Sequence, residues 1–84
     1  MIISIHPNPV VSAGKLKIQS RESQEVEVKV YTMKGKLVIT KKAFIEAGES
    51  VIPIYTLSWP AGLYIIKCIN AKGEVYHHKV LKVK

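Results

Sequence analysis

Apolar residues in this chain come in short runs, spaced about ten positions apart and separated by Gly, Pro, Asn and Ser. The clearest run is Glu25–Tyr31, where Val26, Val28 and Val30 alternate with Glu25, Glu27 and Lys29. Successive side chains of a strand point to opposite faces, so this segment turns one face to a core and the other to water. Lys15–Gln19 repeats the pattern, with Leu16 and Ile18 on one face. Ile2–Ile5 is a short strand that stops at Pro7-Asn8-Pro9, where both prolines fix φ and restrain the residue ahead of them. Lys36–Thr40, Ser50–Tyr55, Leu63–Ile69 and Glu74–Lys84 bring the number to about seven strands. Pro53 removes a ladder donor and predicts an edge strand or a bulge. Leu63–Ile69 is apolar on both faces apart from Lys67, which predicts a central strand covered on both sides. In the last segment Val80 and Leu81 are adjacent, so one of them is exposed or a bulge intervenes. No stretch keeps a helical period; Lys41–Ala47 comes nearest, but it is short, lacks an N-cap and runs into Gly48. The pattern is that of an all-β sandwich or barrel.

Two turns share one chemistry. "TMKGKLVIT" places Gly35 where a left-handed residue closes a three-residue hairpin loop with a bulge, and Lys36 opens the returning strand. "NAKGEV" at Asn70–Val75 repeats the device with Gly73. A third turn, "WPAGLYIIK" at Trp59–Lys67, combines Pro60, which pre-sets φ, with Gly62, which frees the chain where a Cβ would obstruct it. Tyr64 follows as an aromatic anchor whose hydroxyl needs a partner or an exit to solvent.

Length and composition agree with this picture. A chain of 84 residues forms one domain, 1–84, with a thin core, and 48% hydrophobic residues rich in Val and Ile favour strands. Thirteen Lys and Arg against six Glu and no Asp give a formal charge of +7. That balance suits nucleic acid, anionic lipid or an acidic protein, and it also keeps exposed strand edges from pairing. Nucleic acid is not expected, because the aromatics are dispersed and no basic-aromatic string appears. "MIISIH" has no basic n-region and too short an apolar run for a secretory leader, so an upstream leader is required if the domain is exported. No window has the length of a membrane-spanning helix, and no membrane insertion is expected.

No constellation in the sequence points to catalysis, a cofactor or a metal. Cys68 is the single cysteine, flanked by apolar residues, and reads as a small buried thiol. His77 and His78 are adjacent in a strand and point to opposite faces, so they cannot hold one metal from one side. The glutamates have no partners at informative spacing. An adhesion or carbohydrate-binding sandwich module is the alternative from another class, and it requires Tyr55, Trp59 and Tyr76 to form a flat exposed platform.

The motifs together resemble the C-terminal sorting domain family of the type IX secretion system (Por secretion) of Bacteroidetes. "IHPNPV" at Ile5–Val10 resembles the family's opening. "VEVKVYTMKGKLV" at Val26–Val38 is similar to its central hairpin. "WPAGLYIIKC" at Trp59–Cys68 is similar to its strongest motif, and "HKVLKVK" at His78–Lys84 to its basic-apolar last strand. The resemblance implies an immunoglobulin-like β-sandwich of mostly antiparallel strands, joined to an N-terminal cargo domain. It implies transit through the periplasm, passage through an outer-membrane translocon, removal by a sortase-like cysteine peptidase, and a final place at the cell surface, anchored to anionic lipopolysaccharide, or outside the cell. The sorting residues it points to are Pro7, Asn8, Pro9, Gly35, Lys36, Pro60, Ala61, Gly62, Tyr64, Lys79, Val80, Leu81 and Lys82. Recognition is expected at Lys79–Lys84, read as a terminal, basic edge strand with free backbone groups, and the same edge predicts a weak dimer.

Overall fold

The alternating segments fold as strands because alternation buries one face of each. The computed structural model describes residues 1–84 and contains seven strands: β1 (Ile2–His6), β2 (Ala13–Ser20), β3 (Gln24–Thr32), β4 (Leu37–Ile45), β5 (Gly48–Tyr55), β6 (Gly62–Ile69) and β7 (Val75–Lys82). They form a three-stranded sheet, β1-β2-β5, and a four-stranded sheet, β4-β3-β6-β7, and every pair is antiparallel. The inner faces supply the core. Ile3, Ile5, Leu16, Ile18, Ile52 and Ile54 face Val26, Val28, Val30, Ile45, Ile66, Cys68 and Val80 from the opposite sheet. After β1 the chain crosses between the sheets: Val10 makes a parallel bridge to Lys82 of β7. Two sheets of antiparallel strands, closed by this crossing, make an immunoglobulin-like β-sandwich.

β5 is an edge strand, the first of the two placements that Pro53 allows. At the end of β7, Val80 is buried and Leu81 turns outward, so alternation holds without a bulge. Both predicted hairpins form alike. Gly35 at φ +87° and Gly73 at φ +84° occupy the left-handed region. Each turn is closed by an inner bond, Gly35 N–H to Thr32 O or Gly73 N–H to Asn70 O, and by an outer one, Thr32 N–H to Lys36 O or Asn70 N–H to Glu74 O. Ladder registry on the first hairpin shifts by one residue at Val30/Tyr31, leaving Val38 unpaired between Leu37 and Ile39.

Three expectations need correction. β6 is central in its sheet but covered on one face only. Its outer row, Ile65, Lys67 and Ile69, is half-buried by side chains of flanking strands, and the Lys67 ammonium lies 5.0 Å from the centre of the Tyr31 ring. β4 does not stop at Thr40 but runs to Ile45, and Lys41 and Lys42 stay exposed because nothing pairs beyond this edge. The terminal part of β7 is not a free edge. Leu81 O accepts from Val10 N–H at 2.8 Å and Val83 N–H donates to Val10 O at 2.9 Å. Asn8 covers the next positions, accepting from Leu81 N–H at Oδ1 (3.0 Å) and donating from Nδ2 to Lys79 O (3.2 Å).

Candidate functional site

Strand registry decides where the motifs lie. Gly62 pairs with Lys82, Thr32 with Tyr64 and His6 with Lys15, and Val10 bridges to Lys82. The Pro7–Pro9 loop, the Gly35–Lys36 turn, the Pro60–Tyr64 turn and Lys79–Lys82 therefore gather at one pole of a domain 36 Å long. Met1 lies at the other pole, beside Ser20 and Arg21.

The Pro60–Tyr64 turn is held from inside. Gly62 sits at φ +153°, a conformation open to glycine and strained for other residues. No neighbour lies within 4 Å of a Cβ placed there, so the backbone angle and not an obstructed Cβ, as the sequence suggested, calls for glycine. Tyr64 is buried, and its hydroxyl donates to Pro60 O, four residues back. This closes the turn in the manner of the tyrosine corner of immunoglobulin-like sandwiches. The Trp59 ring tilts by 43° against Tyr64, with centroids 4.8 Å apart. Pro60 and Ala61 remain exposed on the outside of the turn.

Thr56 is a site residue that the sequence does not advertise. It is fully buried, donates from Oγ1 to Val11 O at 3.1 Å and from its N–H to Ser12 O at 2.9 Å, and its own carbonyl accepts from Trp59 N–H at 3.0 Å. It thus pins the crossing segment after Val10 to the turn before Tyr64. A threonine just ahead of a turn was the available signal, but such residues are common in loops. Lys82, expected from the sequence to belong to a basic recognition strand, is buried, with Nζ donating to Val83 O at 2.9 Å. Lys36 and Lys79 are exposed.

Charge is divided along the long axis. The segments that build the motif pole, His6–Lys15, Tyr31–Leu37, Tyr55–Leu63 and Lys79–Lys84, contain six lysines and no acid. Glu22, Glu25, Glu46, Glu49 and Glu74 lie toward the other pole, and Glu27 is at mid-strand. Between the two motif turns runs a groove of about 630 Å³, lined by Met33, Leu37 and Leu63 and flanked by Lys34 and Lys36.

The platform needed by a carbohydrate module does not form. Trp59 is buried, Tyr55 lies on β5 of one sheet, and Tyr76 lies on β7 of the other. No three His, Cys, Asp or Glu side chains come together as metal ligands. Cys68 is buried, and burial pushes its thiol from 9.0 up to about 11, the reverse of what a nucleophile requires. No helix is long and apolar enough to cross a membrane.

Residues 4–83 match the family described as the secretion system C-terminal sorting domain. The chain belongs to that family. No curated protein matches it. A sorting domain of type IX secretion is not a member of an enzyme family, and membership implies a linked cargo domain, contact with the secretion machinery and a destination at the cell surface or beyond. All thirteen residues singled out from the sequence lie within the matched span, and the fold places them at one pole.

Proposed function

We propose that this domain directs its parent protein through the outer-membrane translocon of type IX secretion, and that its lysine-rich pole is the face the machinery reads. One observation carries the proposal: four motifs far apart in sequence converge on a pole without acids, opposite Met1. A cargo domain joined ahead of Met1 leaves that pole unobstructed. Exposed Lys36 and Lys79 provide charge for docking, while Asn8, Gly35, Gly62, Tyr64 and Val80 shape the surface that carries it. Transit begins in the periplasm. Removal of the domain by a sortase-like cysteine peptidase follows export, with the scissile bond ahead of β1.

The test is a reporter carried behind a Sec signal and fused to this domain, expressed in a Bacteroidetes host with and without a working translocon. Reporter at the surface or in the medium, only when the translocon works, supports the proposal. Reporter held in the periplasm of both strains, with the domain folded, overturns it. Lys36→Glu combined with Lys79→Glu changes two exposed side chains at the pole and is expected to reduce export without unfolding the domain. Unchanged export of that variant overturns the role given to the pole.

A further inference from the structure

A β-sandwich with two open sheets has four edges, and here three of them are closed or spoiled. β7 is covered from Lys79 to Val83 by Asn8 and Val10, which leaves only Val75–His78 uncovered. β1 is five residues long and packs beside β7 where the chain crosses. β5 carries Pro53, which has no N–H to offer. The fourth edge, β4, is nine residues long, has no proline, and pairs with β3 alone. Eight backbone hydrogen bonds lie outside the ladders, and none involves Leu37–Ile45. Alternate N–H and C=O groups along this strand therefore face solvent, which is the template for strand addition.

Side chains decide what can pair there. Between Met33 and Ile45 there are four lysines and no acid. Lys41 is the central residue of β4, so full antiparallel overlap of two copies sets Lys41 directly opposite Lys41 of the second copy. Like charges opposite one another destabilise a pair, which argues against the edge-to-edge dimer at this strand. An opposite-charge pair at the same place is stabilising. Around the lysines the edge is mostly apolar: Ile39 and Ala43 are half-buried on the inner row, Phe44 is exposed on the outer row, and Thr40, β-branched and exposed, is the one polar neighbour. The complement is an extended segment with adjacent acids, flanked by β-branched residues.

We infer that β4 is a recognition edge that accepts an extended acidic segment of a partner protein as a fifth strand of the larger sheet. The inference rests on the sorting reading for its partner, a component of the secretion machinery. For the edge itself it rests on the geometry of β4.

The test measures amide hydrogen exchange of the whole domain with a capped octapeptide of sequence TVTEEVTY, with TVTKKVTY as the control. The acidic peptide is expected to slow the outward-facing amides of Leu37–Phe44 by about tenfold or more at saturation, and the basic one to leave them unchanged. In the Lys41→Glu, Lys42→Glu variant the preference should reverse. Protection of Val26, Val28 and Val30 amides shows that this variant is folded. Four results overturn the inference: protection that falls on other strands, equal protection by both peptides, no protection at millimolar peptide, or protection of β4 that grows with domain concentration alone. Export of the unmodified reporter fusion is scored separately. A fusion that fails to export overturns the sorting reading and leaves the edge measurement standing. An unprotected β4 in a domain whose fusion is exported overturns the edge assignment alone.

Discussion

Tyr64→Phe isolates the bond that closes the Pro60–Tyr64 turn. The ring is buried against Trp59 and stays in place, so the substitution removes the hydroxyl and little else. The lost bond runs from the hydroxyl to Pro60 O, and Pro60 is exposed, so its carbonyl can be rehydrated. The cost is therefore that of one net hydrogen bond, about 1 kcal/mol, without the larger penalty of a stranded buried acceptor. In a domain of this size that lowers Tm by about 4–8 °C. Urea unfolding followed by fluorescence of the single Trp59 should show a lower midpoint with an unchanged slope, because the surface exposed on unfolding is the same. Tyr64→Ala removes the ring as well and should cost about 3–5 kcal/mol. A loss below about 0.5 kcal/mol for Tyr64→Phe would refute the clamp. Export separates folding from recognition: a folded Tyr64→Phe domain should still be exported, and export lost with the fold intact would make the hydroxyl part of the surface that is read.

Gly14 faces the core, and a Cβ there would lie 3.1 Å from Ile5 Cδ1 and 3.4 Å from Val10 Cγ2. Ile5 and Val10 are themselves fully buried and have no open space to move into, so Gly14→Ala should destabilise by about 1–3 kcal/mol, visible as a lower urea midpoint. Asn8→Ala removes both side-chain bonds to β7 at an exposed site and should cost about 1 kcal/mol while speeding exchange of the Leu81 amide. The folded state raises the Cys68 thiol from 9.0 to about 11, so it holds that proton more tightly than the unfolded chain does. The resulting stability is fully present below pH 9 and is lost as pH rises from 9 toward 11. Denaturant midpoints across that range in Cys68→Ala, compared with the unmodified domain, should differ in slope against pH.

Much of the sandwich was legible because alternation and turn chemistry act locally. Val26, Val28 and Val30 announce a half-buried strand by themselves, Gly35 and Gly73 announce their loops, and Pro53 announces an edge or a bulge. What was not legible depends on neighbours. Lys41 and Lys42 interrupt the apolar pattern, yet β4 continues through them because an edge strand lets charged heads reach water. Ile65 and Ile69 suggest burial on two faces, yet a row of cross-strand side chains shields them without a second layer. The pairing of Val10 with Lys82 joins positions far apart in the chain, and no periodicity encodes it. Among the site residues, Gly62 and Tyr64 were readable as a turn and its anchor. Thr56 was not, because its role exists only once Val11 and Ser12 lie against it.

The pole is a product of the fold as much as of its motifs. Asn8 bonds to residues 71 and 73 positions away, and Val10 supplies the backbone partners of Leu81 and Val83. The opening loop and the last strand therefore hold each other in place. Deleting Val80–Lys84 removes buried Val80 and Lys82 together with both partners of Val10. Loss of export after that deletion follows from a broken sandwich as readily as from a lost recognition strand, so truncation cannot locate the surface that is read. Reversing exposed charges can, because Lys36 and Lys79 contribute to the pole and little to the core, while Lys41 and Lys42 contribute to the β4 edge. If export falls with the first pair and is kept with the second, the pole is read and the edge is not. If both pairs reduce it, the machinery contacts both the pole and the β4 edge, which meet at the hairpin turn at Gly35.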